Sequence, residues 1–242
     1  MGKAEEGSAY VAGIEVTPFQ TMADAISCII DDRGQVLKGS AIAINAEKVM
    51  TARGNSDVKA TLDSATLRYA DGIGVVWALK RKGVDTVRIP GCDLWEALMK
   101  RAGELDVGVF LLGGRPDVLD QTSHKLITEF GTPVVGACDG YFDNEANVIE
   151  QIKNSGARIV TIALGSPKQE LFIQKCREAY PQAFYMGVGG TYDVFTGRVQ
   201  RAPEVFQRMH LEWLYRLLKQ PSRVGRQVNL VVFLFLLLLG RV

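Results

Sequence analysis

The feature that most constrains the fold is a regular alternation of short apolar runs with longer segments of helical period. The short runs are mostly apolar and do not alternate regularly between apolar and polar residues. Strands of this kind are buried on both faces, which is typical of a parallel sheet covered by helices on each side. The predicted strands are Ala41–Ile44, Thr86–Ile89, Val107–Leu112, Pro133–Ala137, Arg158–Ala163 and Ala183–Val188.

Helices are predicted between these strands, at Met22–Ile30, Asp93–Ala102, Pro116–Phe130, Ala146–Lys153 and Lys168–Tyr180. We therefore predict an α/β fold with a Rossmann-like, mostly parallel sheet and helices on both faces. Ligands of such sheets bind at the carboxyl ends of the strands. The polar or glycine-rich turns at those ends are the first candidates for a site, and they contain Asn45, Gly113-Gly114, Asp139-Gly140, Gly165-Ser166 and Gly189-Gly190.

Composition excludes several classes of protein. Of the 242 residues, 47% are hydrophobic and 23% are charged, which is unlike a disordered, collagen-like or disulfide-framework chain. The net charge of +1 disfavours a wholly basic nucleic-acid-binding protein, so no nucleic-acid partner is expected. The four cysteines form no C-x-x-C pair, which is typical of reduced thiols in a cytosolic protein. Neither histidine has a second ligand at metal spacing, so no metal site is predicted.

The charge is divided unevenly along the chain. Residues 201–242 carry a net charge of +5, whereas residues 1–200 carry −4. We expect an α/β domain over 1–200, followed by a basic and apolar helical appendage over 201–242. An amphipathic helix is predicted at Glu204–Lys219 and a second one at Ser222–Leu239, separated by Pro221, which cannot continue a helix.

The end of the second predicted helix is strongly apolar, since Val231–Leu239 contains no polar residue. A helix over Val228–Leu239 spans about 18 Å, whereas the core of a bilayer is about 30 Å thick. The segment is therefore too short to cross a membrane. An interfacial anchor is favoured, and a helix packed on the body or on another subunit is the alternative. Residues Met1–Ser8 are polar and predict no secretory signal.

The Gly165–Glu170 segment has the composition of a helix start that binds anions. Ser166 is expected to cap the helix and Pro167 to take its first position, which leaves the following amides free. Such a start binds phosphate through its N–H groups and the helix dipole, and Lys168 adds a positive charge. An ordinary turn between strand and helix is the alternative. The same two interpretations apply to Gly113-Gly114-Arg115-Pro116.

Asp71 is the candidate general base. A carboxylate that precedes a flexible glycine at the end of a strand suits that role, although Asp-Gly is also a common turn sequence. Tyr141 is a candidate to stack on a base or sugar, with core packing as the alternative. The chain contains neither a Walker loop nor a dinucleotide fingerprint. Further candidates are Asn45 and Gln169, which would orient hydroxyl groups, and Arg88, which would pair with a phosphate or carboxylate.

Four segments of the sequence form a characteristic set of motifs. They are Ala70-Asp71-Gly72, Gly91–Trp95, Gly165–Glu170 and Gly189–Gly197. In this order they resemble the bacterial glycosyltransferases of the WecG/TagA/CpsF family, and the resemblance extends from about Gly13 to Arg226. Three further segments are most similar to the members that transfer N-acetyl-D-mannosaminuronic acid in enterobacterial common antigen synthesis. They are Ala43–Lys48, Asp139–Phe142 and Glu212–Leu218.

The resemblance implies an inverting glycosyltransferase that needs neither a metal nor a cofactor. Its donor would be a UDP-sugar, UDP-N-acetyl-D-mannosaminuronic acid. Its acceptor would be undecaprenyl-diphosphate-linked N-acetylglucosamine, a polyprenyl-diphosphate-linked lipid. The protein would be peripheral, at the cytoplasmic face of the inner membrane and in contact with the membrane surface.

The resemblance also implies roles for individual residues. Asp71 would remove the proton from the acceptor hydroxyl. Asn45, Arg88 and Gln169 would line the same pocket. Arg216, Arg223 and Arg226 of the appendage would close over the site and meet the diphosphate or the acceptor. The residues implied to bind the donor are Gly113, Gly114, Asp139, Tyr141, Gly165, Ser166, Lys168, Gly189, Gly190 and Asp193.

Two alternative functions stay open. One is a UDP-N-acetylmannosamine transferase of the teichoic acid type, because the sequence does not identify the residue that would recognise the carboxylate of the donor. That type has a threonine where this chain has Ala43. The other is a non-catalytic, membrane-associated nucleotide-binding protein, which would bind UDP without transferring a sugar. The sequence also allows a homo-oligomer.

Overall fold

A central sheet of six parallel strands organises the part of the chain that the computed structural model describes, residues 9–209, 211–219 and 224–242. The strands are β3 (Gly39–Ile44), β4 (Leu67–Ala70), β5 (Val109–Gly113), β6 (Val134–Cys138), β7 (Ile159–Ala163) and β8 (Phe184–Gly187). Their order across the sheet is β4-β3-β8-β7-β5-β6, and every neighbouring pair is parallel. An antiparallel hairpin of β1 (Ala9–Val11) and β2 (Ile14–Val16) precedes the sheet.

Helices follow the strands and cover the sheet. They are α1 (Met22–Ile29), α2 (Ala46–Gly54), α3 (Ser56–Asp63), α4 (Ile73–Arg81), α5 (Gly91–Glu104), α6 (Pro116–Phe130), α7 (Glu145–Asn154), α8 (Lys168–Ala179), α9 (Thr191–Phe195), α10 (Glu204–Arg208), α11 (Glu212–Lys219) and α12 (Val224–Leu238).

Alternate residues of each strand pack on opposite faces of the sheet. In β5, Leu111 packs with Trp95 of α5 on one face, whereas Leu112 packs with Phe172 of α8 on the other. Both residues are fully buried. This arrangement explains why the strands are mostly apolar on both faces, and it confirms the predicted α/β, Rossmann-like fold.

Two predicted elements differ in the structure. Thr86–Ile89 is not a strand but an extended connection, whose Ile89 N–H donates to Ala70 O at 2.8 Å. The edge strand beside β3 is β4, which is not among the predicted strands and which contains the charged residue Arg68. Arg68 is buried because Glu15 of β2 and the carbonyl of Ala65 accept its hydrogen bonds.

The helix predicted over Glu204–Lys219 is also wrong, since the structure has two helices there, α10 and α11. Met209 forms a turn after α10, and the N–H of Leu211 donates to Phe206 O at 2.7 Å. The predicted amphipathic helix is therefore interrupted after Arg208. The break predicted at Pro221 lies outside the described residues.

Helix α12 packs against the body along one side. The fully buried ring of Phe233 contacts α4, where its Cε1 lies 3.0 Å from the point that a Cβ on Gly74 would occupy. Arg81 donates to Leu237 O at 2.6 Å and thereby holds the end of α12. The opposite side of α12 is apolar and exposed, with Phe235 at 60% and Leu238 at 75%. The helix is thus attached by one side and leaves an apolar surface on the other.

No helix among the described residues has both the length and the apolar character needed to cross a bilayer. All four cysteines are free, and Cys176 alone is buried. Burial raises the pKa of the Cys176 thiol to about 12, so this thiol stays protonated at neutral pH.

The packing of α12 gives a first prediction. Phe233→Ala is expected to lower the free energy of unfolding by about 3 kcal/mol, because it leaves a cavity between α12 and α4. The matched control Phe235→Ala removes an exposed ring from the same helix and is expected to change stability by less than about 0.5 kcal/mol. Urea denaturation of both variants measures the difference. Equal losses would contradict the described orientation of α12.

Candidate active site

A cleft of about 960 Å³ lies at the carboxyl ends of four strands, β3, β4, β7 and β8. Each of these strands delivers a turn to the lining: Asn45 follows β3, Asp71 follows β4, Gly165 follows β7 and the Gly187–Gly190 turn follows β8. The cleft therefore occupies the position where open parallel sheets bind their ligands.

Backbone contacts fix Asp71 at the edge of the cleft. The N–H groups of Asp71 and Gly72 both donate to Ile44 O, at 3.0 and 3.2 Å, so this turn is attached to the end of β3. Position 72 has little room for a side chain, because a Cβ there would lie 3.1 Å from the Cα of Asn45. The side chain of Asp71 is 27% exposed. Its carboxylate is therefore held in place and is still accessible from the cleft.

Arg88 braces the turn that carries Asp71. Its Nε donates to the backbone oxygen of Asp71 at 2.6 Å, and its Nη2 lies 3.7 Å from Asp71 Oδ1. The same Nη2 donates to Glu212 Oε2 at the shorter distance of 2.6 Å. The stronger ion pair of Arg88 is therefore with Glu212 of α11, not with Asp71.

Asn45 caps helix α2, since its Oδ1 accepts a hydrogen bond from the N–H of Lys48 at 3.0 Å. The oxygen of the side chain is therefore used within the protein, and its amide nitrogen is the end left for a ligand. Lys48 in turn donates from Nζ to Glu170 Oε1 at 2.9 Å, which joins the starts of α2 and α8 across the cleft.

Gln169 holds the glycine turn that follows β8. Its Oε1 accepts from the N–H of Gly189 at 3.0 Å, and its Nε2 donates to Glu170 Oε1 at 3.2 Å. A Cβ on Gly187 would lie 2.6 Å from that Nε2, so a larger residue there would displace the side chain of Gln169. One N–H of Nε2 is left for a ligand. Within the protein, the side chain of Gln169 fixes the conformation of this turn through its hydrogen bond with Gly189.

Glu170 is almost fully buried and remains ionised through its pairing with Lys48. Burial alone would raise the pKa of Glu170, but the ammonium of Lys48 outweighs it and holds that pKa below its ordinary value. The two side chains thus form a charged contact beside the cleft that stabilises the arrangement of Gln169.

The start of α8 differs from the prediction in one respect. The helix begins at Lys168, with Pro167 at the cap position, and Ser166 does not cap it. The N–H of Gln169 donates to Gly165 O at 2.8 Å, so the turn itself uses one of the amides that were expected to be free. The start of α6 agrees with the prediction, since Pro116 takes the first helical position.

The cleft brings together the four predicted catalytic residues and half of the predicted donor-binding residues. The lining contains Asn45, Asp71, Arg88 and Gln169, together with Gly165, Ser166, Gly189, Gly190 and Asp193. The remaining residues predicted to bind the donor are not among its lining residues, namely Gly113, Gly114, Asp139, Tyr141 and Lys168.

These remaining residues lie mainly at the ends of the neighbouring strands β5 and β6. The N–H of Gly140 donates to Gly114 O at 2.9 Å, which joins the two turns. Asp139 Oδ1 accepts from the N–H of Tyr141, whose ring is exposed. Lys168 lies 5.5 Å from the centre of the Phe142 ring. Their roles stay predictions, and the side chains predicted to meet the diphosphate, Arg216, Arg223 and Arg226, lie outside the described part of the chain.

Sequence analysis missed several residues that line the cleft. Helix α11 forms one wall through Glu212, Trp213, Tyr215 and Lys219. Tyr69 of β4 lies beneath the cleft, and burial raises the pKa of its hydroxyl well above the ordinary value, with a further contribution from the charge of Asp71. This hydroxyl therefore stays protonated at neutral pH. The signal for Tyr69 was present in the sequence, since it stands two residues before Asp71.

A comparison with protein families gives one match. The model described as the glycosyl transferase WecG/TagA/CpsF family matches residues 9–242, which is nearly the whole chain. Within the described residues, no three His, Cys, Asp or Glu side chains are grouped in a way that could hold a metal ion.

The pairing of Glu170 with Lys48 gives a prediction about pH. At pH 7, Glu170→Gln is expected to lower the free energy of unfolding by about 3 kcal/mol, because it breaks a largely buried ion pair. The pKa of Glu170 is lowered by folding from 4.5. The stabilisation is therefore present above that pH and is lost as the pH falls through the pKa of the folded state.

Urea denaturation between pH 7 and pH 3.5 measures this difference for the wild type and the variant. The control is Glu150→Gln on α7, whose exposed carboxylate lies 3.8 Å from Lys153 and is expected to contribute little at any pH. If the deficit of Glu170→Gln were as large at pH 3.5 as at pH 7, the charged pairing would be contradicted.

Proposed function

The chain belongs to the WecG/TagA/CpsF family of glycosyltransferases, and on this premise we propose that it transfers a sugar from a UDP donor to a lipid-linked acceptor with inversion. The observation that carries the proposal is the position of Asp71. Its accessible carboxylate is fixed at the strand end, within a cleft that glycine turns and cationic side chains also line. This combination suits a base beside a nucleotide-sugar site.

The proposed reaction is a single displacement. Asp71 accepts the proton of the acceptor hydroxyl, and the oxygen forms a bond to the anomeric carbon from the face opposite UDP. The bond from that carbon to the diphosphate oxygen breaks, and its electron pair leaves with UDP. Positively charged groups near the diphosphate stabilise this step because negative charge develops there.

Cationic side chains of the cleft suit that last task. Lys48, Arg88, Arg198, Arg201 and Lys219 all line it. We propose that the diphosphate meets members of this group together with the N–H groups of the Gly189-Gly190 turn. Arg216, Arg223 and Arg226 are proposed to join them, and no metal or cofactor is required in this scheme.

For the donor we propose UDP-N-acetyl-D-mannosaminuronic acid, and for the acceptor undecaprenyl-diphosphate-linked N-acetylglucosamine, as in enterobacterial common antigen synthesis. Support comes from the similarity of Ala43–Lys48, Asp139–Phe142 and Glu212–Leu218 to members with that activity. The alternative donor is UDP-N-acetylmannosamine, which lacks the carboxylate. Comparing turnover with each pure donor distinguishes the two.

Asp71→Asn tests the proposed base. Turnover is expected to fall by about 100-fold or more, because the amide cannot accept the proton, while the dissociation constant for UDP changes little. Transfer is measured with a labelled UDP-sugar and a prenyl-diphosphate-linked N-acetylglucosamine, and UDP binding is measured by calorimetry.

The matched control for this test is Asp63→Asn, which changes an exposed aspartate at the end of α3 and is expected to leave turnover unchanged. Near-normal turnover of Asp71→Asn would remove Asp71 from the role of base. A wild-type protein that binds UDP but transfers no sugar would favour the non-catalytic alternative.

We also propose that residues 201–242 are an appendage to the domain formed by residues 1–200, and that α12 associates with the inner membrane at its cytoplasmic face. The support is the exposed apolar side of α12, with Val231, Phe235 and Leu238 pointing away from the body. The net charge of +5 in this part of the chain is favourable beside anionic lipids.

The double variant Phe235→Glu and Leu238→Glu tests membrane association. It is expected to abolish flotation with anionic liposomes, because it places two charges where the apolar surface would enter the lipid. The matched control is Ile127→Glu, an exposed position on α6, which packs on the opposite face of the sheet.

Analytical sedimentation of the same variants distinguishes whether this surface of α12 contacts a membrane or a second copy of the chain. Flotation equal to that of the wild type would contradict the membrane proposal. Unchanged flotation together with loss of a wild-type dimer would show that the surface joins two copies of the chain.

A further inference from the structure

Helix α11 directs a carboxylate, and not an apolar side chain, into the body of the protein. Among its described side chains, Glu212 is the buried one, with 8% exposure, whereas Trp213 and Leu218 are exposed. Most amphipathic helices attach through an apolar stripe. The deepest contact of α11 is instead ionic.

Two arginines of the body hold this carboxylate. Arg88 donates from Nη2 to Glu212 Oε2 at 2.6 Å, and Arg201 donates from Nε to Glu212 Oε1 at 3.2 Å. Burial alone would raise the pKa of Glu212, but the two guanidinium groups outweigh it and hold that pKa below its ordinary value. Arg201 is itself oriented by a two-point contact with Asp93 of α5. The carboxylate is therefore charged and held from both sides.

The same contact reaches the proposed base. Arg88 also donates from Nε to the backbone oxygen of Asp71 at 2.6 Å, while its Nη2 remains 3.7 Å from the Asp71 carboxylate. If Glu212 were neutral, the carboxylate of Asp71 would be the nearest remaining anion for that nitrogen. Glu212 thus competes with Asp71 for Arg88 and keeps the guanidinium directed toward α11.

Helix α11 is at the same time a wall of the cleft, through Trp213, Tyr215 and Lys219. Its attachment therefore decides whether the cleft is closed on that side. The buried carboxylate of Glu212 therefore joins this wall to Arg88.

We propose that Glu212 is a positioning residue of the glycosyl transfer, and we call its contact with Arg88 and Arg201 the latch. The latch holds α11 against the cleft and keeps Arg88 from closing onto the carboxylate of Asp71. The inference rests on the proposed function for its catalytic part, and on the geometry alone for the attachment of α11. It gives the appendage a role within the reaction, in addition to membrane association.

Hydrogen exchange of the full chain tests the attachment without reference to activity. Glu212→Gln removes the charge and keeps the size of the side chain, and it is expected to speed amide exchange in α11 at least tenfold while α5 and α8 stay protected. The matched control is Glu204→Gln on α10, whose exposed carboxylate pairs with Arg208 at 3.1 Å. Exchange in α11 equal to that of the wild type would overturn the latch.

Glu212→Asp provides a second variant that retains the charge. It is expected to keep exchange in α11 within about threefold of the wild type, even if Glu212→Gln proves too unstable to measure. Exchange as fast as in an unprotected peptide, with α5 and α8 still protected, would show that charge is not what holds the helix.

Kinetics test the part of the proposal that concerns Arg88. Glu212→Gln is expected to lower kcat at least tenfold, and Glu212→Asp to recover most of that loss. If Glu212 acts through Arg88, the double variant with Arg88→Lys is no slower than Arg88→Lys alone. Losses that multiply in the double variant would overturn this coupling. A wild type that transfers no sugar would refute the proposed function, whereas the exchange experiment would still decide the latch.

Discussion

Burial of a parallel sheet on both faces is the constraint from which the rest of the structure follows. It requires strands such as β5 to be apolar along their whole length, and the one polar side chain of β7, Thr161, is buried and hydrogen-bonded to Tyr192. It also directs all six strands the same way, so their polar turns collect at one edge. The cleft occupies that edge, where the turns that follow β3, β4, β7 and β8 meet.

Much of the polar chemistry at this edge serves to hold the turns in place. Asn45 uses its oxygen to cap α2, and Gln169 uses its oxygen to fix the turn at Gly189. Arg88 supports the backbone of Asp71, and its stronger ion pair is with Glu212. The side chains around the carboxylate of Asp71 thus already form hydrogen bonds that hold the neighbouring turns in place. Because the supports come from distant parts of the chain, the geometry of the cleft depends on the fold as a whole, including the appendage.

Local patterns in the sequence predicted most of the sheet and the position of Asp71, because continuous apolar runs and strand-end turns are local signals. They failed for β4, where the buried Arg68 is accommodated by hydrogen bonds to Glu15 of a remote hairpin and to the carbonyls of Asp63 and Ala65. They failed for Thr86–Ile89, which has a strand-like composition but lacks a continuous partner strand. Glu212 was missed as a functional residue because its partner Arg88 is 124 positions away, and no periodicity records such a pairing. Helices α10 and α11 were likewise predicted as a single helix, because their composition does not separate them.

The central claim is that this cleft transfers a sugar from UDP to a lipid-linked acceptor. The most direct measurement incubates the wild-type protein with radiolabelled UDP-N-acetyl-D-mannosaminuronic acid and a synthetic prenyl-diphosphate-linked N-acetylglucosamine, then separates lipid from water-soluble label. The account predicts that label moves into the lipid fraction, that UDP is released in equal amount, and that the new linkage has the inverted configuration. Binding of the UDP-sugar without any labelled lipid, or a product with retained configuration, would contradict it.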